Sequence, residues 1–356
     1  RGGLENFRAP RIRHPLGHPV AGPSGRCATM SAMPLSDLTH AELLAYRPEV
    51  DEPADFDAFW TGTLEEARAA GGAATLVPAE TPITQLIVED LTFPGFGGEP
   101  VSAWVTRPKD ADGPLPAVVQ YQGYGGGRGL PGDNALWALA GYVHVMVDTR
   151  GQGSRWGSGG STADPHGTGP SVPGFMTRGI EDPRDYYYRR VFTDAVRAVD
   201  ATRALPFVDA ERLAVTGGSQ GGGIAIAAGA LADGVSAVLP DIAFLCAYRR
   251  GADVAADGPF VELAQYLSVH RDRVDEVFRT LSYFDGVNFA RRIHAPALFS
   301  VALMDTVVPP STTFAAYNHL GSEDRTIEVY AFNDHEGGGT VHWQKQAVWL
   351  RERFAL

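Results

Sequence analysis

Cysteine is almost absent from this chain: Cys27 and Cys246 lie far apart, and neither sits among residues with metal-ligand spacing. A disulfide scaffold and a zinc site are thereby excluded. No run of about 18 apolar residues occurs, so the sequence offers no membrane span. Positive charge is also short, because 30 Lys and Arg against 42 Asp and Glu leave a formal net charge of −12. With no basic stripe to offset it, neither nucleic acid nor an anionic membrane surface is an expected partner. A phosphate-binding motif is missing too. The glycine-rich stretch 122–127 carries no Gly-Lys-Ser/Thr, and its G-x-G-x-x-G spacing opens no evident helix, which leaves little support for a nucleotide cofactor.

Glycine, by contrast, is plentiful at 42 residues. In so glycine-rich a chain a Gly-x-Ser-x-Gly match alone is weak. The match at Gly217, Ser219 and Gly221 is stronger, because LAVTGGSQGGGIAIAAGA passes from a β-branched run through the glycines into small, helix-compatible residues. That is the strand, sharp turn and helix of a nucleophile elbow, whose small flanking residues let strand and helix approach closely. The turn would expose the Ser219 hydroxyl and leave the Gln220 amide free at a helix N-terminus.

The rest of the chain supplies a frame for such a turn. Ser36-Asp37 ahead of residues 41–44 reads as a capped short helix, and Phe56, Phe59, Trp60, Leu64 and Ala67 recur at helical spacing over 54–70. Stretches 83–93 and 100–107, with Pro94 to Gly98 as a hairpin loop, read as the antiparallel edge of a sheet. Buried-strand patterns follow at 115–122 and 141–148. The first ends in the glycine-rich loop, where Tyr124 stands at the position expected to supply a second oxyanion N–H. The second runs into Arg150-Gly151-Gln152, where the arginine is expected to hold loops through an ion pair. Residues 153–173 form a long loop of the kind that often frames a site. A crossover helix is expected within 180–204, where the triplet Tyr186-Tyr187-Tyr188 fits core or pocket equally. After a strand at 235–240, residues 244–292 read as a mostly helical insertion.

Partners for the serine follow in order. Asp305 comes after the apolar run 297–303 and before Pro309-Pro310, and His335 comes after the strand-like 326–332. Each member of Ser219, Asp305 and His335 follows a strand, in the chain order of an α/β-hydrolase triad. Such a hydroxyl is a poor nucleophile until an imidazole takes its proton, and the imidazole needs a carboxylate to fix its tautomer. His342 and Asp334 compete for the base and acid roles. A satisfied surface position suits His342 better, and Asp334 is too close in sequence to orient His335 easily.

Taken together, Arg150-Gly151-Gln152, GGSQG at 217–221, Asp305 ahead of Pro309-Pro310-Ser311-Thr312, and His335-Glu336 resemble the motif set of carbohydrate esterase family seven. These are the acetyl xylan esterases and cephalosporin C deacetylases. Phe56 to Trp60 and the tyrosine triplet resemble it as well. The resemblance implies an α/β-hydrolase fold over residues 33–356, with a mostly parallel sheet, helices on both faces and a helical insertion before the Asp-bearing strand. It implies a cytoplasmic serine esterase that removes acetyl groups from small acetylated sugars and cephalosporins. Ser219, Asp305 and His335 would form its triad, the Tyr124 and Gln220 amides its oxyanion hole, with Arg150, Gln152, Gly217 and Gly221 in support. No cofactor or metal is called for, and a homo-oligomer, often a hexamer, is expected. Two positions depart from the family pattern: Gln122 stands where histidine is frequent, and Val308 where cysteine is. A different α/β-hydrolase acting on other esters or lactones, and a non-catalytic binding relative, are the alternatives. Residues 1–32, rich in Pro, Gly and Arg without apolar period, are expected to be a disordered or non-native extension.

Overall fold

A computed structural model of the chain describes residues 37–356, residue 168 apart. The extension expected over 1–32 therefore lies outside the described residues, as does Ser36. Among the described residues nine strands are present: β1 Thr75–Pro78, β2 Leu86–Pro94, β3 Pro100–Pro108, β4 Leu115–Tyr121, β5 Val143–Val147, β6 Val208–Gly218, β7 Ala237–Asp241, β8 Ala297–Ala302 and β9 Arg325–Tyr330. They form one sheet in the order β1-β2-β3-β5-β4-β6-β7-β8-β9. The first three pair antiparallel at one edge, β3 meets β5 antiparallel, and every later pairing is parallel. The short edge strand β1 carries no apolar alternation and was not expected from the sequence.

The helices in chain order are α1 His40–Ala45, α2 Phe56–Ala69, α3 Leu136–Leu139, α4 Tyr187–Arg203, α5 Gln220–Leu231, α6 Tyr248–Val254, α7 Phe260–Val269, α8 Val274–Ser282, α9 Gly286–Ala290, α10 Pro310–Asn318 and α11 Gly339–Arg353. Ala117, Val118 and Val119 of β4 are all fully buried, because the strand is covered on both faces. Alternation then sorts them. Val118 packs with Trp137, Tyr142, Ala214 and Leu350, on the side of α3 and α11. Ala117 and Val119 join the larger core on the side of α4 and α5.

The helix over 54–70 is found as α2, with Phe56, Trp60, Leu64 and Ala67 buried. Its Trp60 is sealed in by donating Nε1–H to the Tyr283 carbonyl at 2.9 Å, across to the insertion α6 to α9. The first helix differs from expectation at its cap. Thr39 caps α1 in a reciprocal box with Glu42. Asp37 instead accepts from Arg250 at 2.6 Å and from the Ser311 amide at 2.7 Å, a tertiary role with no local sequence signal.

What this topology does for function is gather loops. Tyr124, Arg150 and Gln152, Ser219, Asp305 and His335 all lie just beyond the carboxyl ends of parallel strands, the edge where sites form in such sheets. Close approach at that edge dictates glycine. A Cβ on Gly221 would overlap the Tyr121 carbonyl oxygen, and one on Gly217 would overlap Gly221 itself, whereas Gly218 has nothing within 4 Å of its Cβ position. Gly221→Ala should therefore lower stability by roughly 1–3 kcal/mol although alanine is the better helix former. Gly218→Ala should leave the melting temperature nearly unchanged. Thermal unfolding of the two variants side by side checks the contrast.

Candidate active site

Ser219 stands between β6 and α5 at φ 56° and ψ −118°, a backbone conformation that a residue with a Cβ rarely adopts. Its main chain is held on both sides. The Ser219 amide donates to the Asp241 carbonyl at 2.9 Å, and its carbonyl accepts from Phe244 at 3.0 Å. Gln220 then opens α5, with its own N–H in the unpaired first turn of the helix.

Asp305 and His335 arrive from the next strands. The buried Asp305 carboxylate uses Oδ1 to accept the Val307 and Val308 amides, at 2.9 and 2.8 Å. Its Oδ2 lies 2.8 Å from His335 Nδ1, and His335 Nε2 lies 3.0 Å from Ser219 Oγ. With the proton on Nδ1, facing the carboxylate, Nε2 is left to accept from the serine. The histidine loop is shaped by its neighbour, because the Glu336 carboxylate accepts from the Asn333 side chain and from the Asp334 amide. His335 thus takes Asp305, not the adjacent Asp334, as its acceptor.

His342 corrects an expectation. It is buried, not on the surface, with Nδ1 3.1 Å from the Tyr330 hydroxyl and Nε2 3.0 Å from Asp241 Oδ1. The reason is helical phase: His342, Gln346 and Leu350 recur every four residues and form the buried stripe of α11.

Behind the serine the polar side chains interlock. Gln152 and Gln220 exchange side-chain amide hydrogen bonds, Nε2 to Oε1 at 2.9 and 3.2 Å. Gln152 Oε1 also accepts the Gly125 amide at 2.6 Å, and its Nε2 donates to the Tyr187 hydroxyl at 3.1 Å. The Tyr188 hydroxyl donates to Gln220 Oε1 at 2.9 Å, and the Gln220 amide group donates to the Gln122 carbonyl at 3.1 Å. The tyrosine triplet is fully buried; the Tyr186 hydroxyl donates to the Met176 carbonyl at 3.0 Å, whereas Tyr187 and Tyr188 belong to this network. Arg150 is fully buried beneath it, bidentate to Asp194 at 2.6 and 2.9 Å and paired with Glu99 at 2.6 Å. Burial pushes the Asp194 carboxyl above its ordinary range, and Arg150 opposes the shift.

Tyr124 is clamped at its phenol. The hydroxyl donates to the Glu262 carboxylate of α7 at 2.7 and 2.9 Å and accepts the Phe175 amide at 2.5 Å. The Tyr124 carbonyl accepts from Trp156 Nε1 at 2.8 Å.

Sequence reasoning missed Asp194, Glu262 and Trp156. Each lies in a segment whose pattern reports a helix face or a loop and nothing of its distant partner. The two departures from the family pattern are accommodated. Val308 uses its backbone N–H on Asp305 while its side chain is buried, and Gln122 uses its carbonyl on Gln220. Among the described residues, no cluster of three or more His, Cys, Asp and Glu side chains is placed to hold a metal ion.

Residues 33–353 match the family model of acetyl xylan esterase (AXE1). The acetyl esterase Axe7A of Xylanibacter ruminicola is 26% identical over 329 residues, 86% of this chain and 69% of that protein. An acetyl xylan esterase from Paenibacillus sp. R4 superposes with a TM-score of 0.83 at 37% identity, over 88% of this chain and 99% of the other. Acetyl xylan esterase 1 from Thermoanaerobacterium sp. JW/SL YS485 gives 0.80 at 32%, again over 88% and 99%. Motifs, fold and similarity agree, and the chain belongs to the acetyl xylan esterase family, as a carboxylic ester hydrolase built on the α/β-hydrolase fold.

Proposed function

We propose that this protein deacetylates small acetylated sugars through an acetyl-enzyme formed on Ser219. The observation that carries the reading is His335, whose two ring nitrogens reach Ser219 Oγ at 3.0 Å and Asp305 Oδ2 at 2.8 Å. Ser219 Oγ attacks the acetyl carbonyl carbon as His335 Nε2 takes its proton, and Asp305 stabilises the resulting imidazolium. The Tyr124 and Gln220 N–H groups receive the negative charge on the carbonyl oxygen. Collapse of the tetrahedral intermediate expels the sugar alcohol, protonated by His335. Water then attacks the acetyl-serine by the same route in reverse, releasing acetate. The three groups suffice for these steps without a cofactor.

The acetyl-sugar substrate is supported by the acetyl xylan esterases among its relatives, and the resemblance extends the proposal to cephalosporin-type acetyl esters. It also supports a cytoplasmic homo-oligomer. Native mass measurement should give a multiple of the 38.0 kDa chain, six for the hexamer.

Acetate release from per-acetylated xylose at neutral pH tests the reading. Ser219→Ala and His335→Ala should each lose about 10⁴- to 10⁶-fold in kcat, and the double variant little more, because the residues act as a unit. Normal acetate release by folded Ser219→Ala would sink the proposal. A wild-type protein that reacts with a fluorophosphonate yet releases no acetate would keep the serine mechanism and remove the acetyl-sugar substrate.

Arg150 should behave differently. Arg150→Met leaves Asp194 buried without its cation and should cost about 3–5 kcal/mol of stability. Urea unfolding measures the loss, which should appear in the folded fraction before any change in kcat per folded molecule.

A further inference from the structure

Glu262 poses a physical question that the chemistry above leaves unanswered. The residue is nine-tenths buried, and among the described residues no Lys, Arg or His lies within ion-pair distance of its carboxylate, although the Arg155 charge favours its ionised form from farther away. Removing an ionised carboxylate from water costs several kcal/mol unless donors replace the water. Burial accordingly pushes the Glu262 carboxyl up. The donors present are the Tyr124 hydroxyl, at 2.7 and 2.9 Å, and the Met176 amide at 3.1 Å. The surrounding loop is shaped to admit the carboxylate: Gly174 sits at φ +136°, and a Cβ there would overlap the Glu262 carboxyl group. Burial likewise raises the Tyr124 phenol far above its ordinary value, so the hydroxyl remains a donor.

The other hydrogen-bonding groups around Tyr124 are also engaged. Its carbonyl takes the Trp156 indole N–H at 2.8 Å, and the next amide, Gly125, gives its proton to Gln152 at 2.6 Å. Phenol, carbonyl and following amide are all engaged, whereas the Tyr124 N–H has no hydrogen-bond acceptor among the described residues. A single backbone donor cannot choose its own direction. It points where the rest of its residue is held, and an error of about 1 Å in such a group can cost about 100-fold in rate.

We propose that Glu262 is the positioning residue of the oxyanion hole: through the Tyr124 phenol, its carboxylate fixes the Tyr124 amide toward the carbonyl oxygen of the ester. The inference rests on the Ser219 mechanism proposed above. It assigns a role in the reaction to the helical insertion, since α7 carries Glu262, while the residues just after the long loop supply the Phe175 and Met176 amides that complete the clamp.

The test uses turnover of 4-nitrophenyl acetate per serine titrated by a fluorophosphonate, with melting temperature read alongside. Glu262→Ala and Tyr124→Phe should each lower kcat about 10- to 100-fold with KM within about twofold of wild type. The double variant should lose no more than the worse single one, because both break the same contact. Glu262→Gln, which keeps one acceptor oxygen for the phenol, should fall between wild type and Glu262→Ala. If Glu262→Ala does not fold, Tyr124→Phe and Glu262→Gln carry the same comparison. A lowered melting temperature with wild-type kcat per titrated serine would make Glu262 a stabiliser of the fold and overturn the proposal, as would additive losses in the double variant. Failure of the underlying mechanism shows separately. Turnover that survives Ser219→Ala removes both ideas, while a dead Ser219→Ala beside a fully active Tyr124→Phe removes only the clamp.

Discussion

The site depends on one backbone conformation. Ser219 is held at φ 56°, a state that costs of order 1–3 kcal/mol and persists only where its surroundings over-determine it. The determination comes from backbone on backbone. Strand β6 hands its last residues to α5 in a turn so tight that only glycine fits at 217 and 221, and the loop after β7 grips the serine main chain from the side. That loop is itself strained, with Ile242, Leu245 and Ala247 all at positive φ. Strain in one turn is thus supported by strain in the next, and the sheet beneath both keeps them from relaxing.

A second constraint is polar. The 148–186 region contains no regular helix or strand among its described residues, yet its placement is firm because charges anchor it. Asp148, at the end of β5, accepts the Arg128, Ser161 and Thr162 amides at 3.0, 2.6 and 2.8 Å. Arg190 grips Asp164 with two bonds of 2.9 Å, and Arg150 ties the turn after β5 to α4 through Asp194. Buried ion pairs contribute little net stability compared with apolar packing, but removing one partner strands the other. Here they specify where a loop goes, a task that an apolar contact, lacking direction, performs poorly.

This division explains what could be read from residues alone. Local grammar carries the elbow, the strand before each of Asp305 and His335, and the period of α2, because a strand, a turn or a helix face is written within a few consecutive residues. The three side chains chosen on that basis do meet. Partners chosen by tertiary placement left no such mark: Arg150 and Asp194 are 44 residues apart, Tyr124 and Glu262 are 138 apart, and each spacing looks arbitrary in one dimension. His342 shows the intermediate case. Its period of four with Gln346 and Leu350 is visible, but a stripe with two polar members of three reads as surface until Tyr330 and Asp241 are seen to partner the histidine.

The spread of these residues along the chain also has a temporal side. Ser219 and His335 are separated by 116 residues, and the histidine follows the last strand of the described sheet, with α11 still to be laid against it. During synthesis the serine therefore leaves the ribosome as an ordinary alcohol, and it remains one while the insertion, β8, Asp305 and β9 are added. Reactivity cannot precede the synthesis of His335. A half-made molecule, or one cut short before β9, can misfold or be degraded, but it has no base with which to acylate itself.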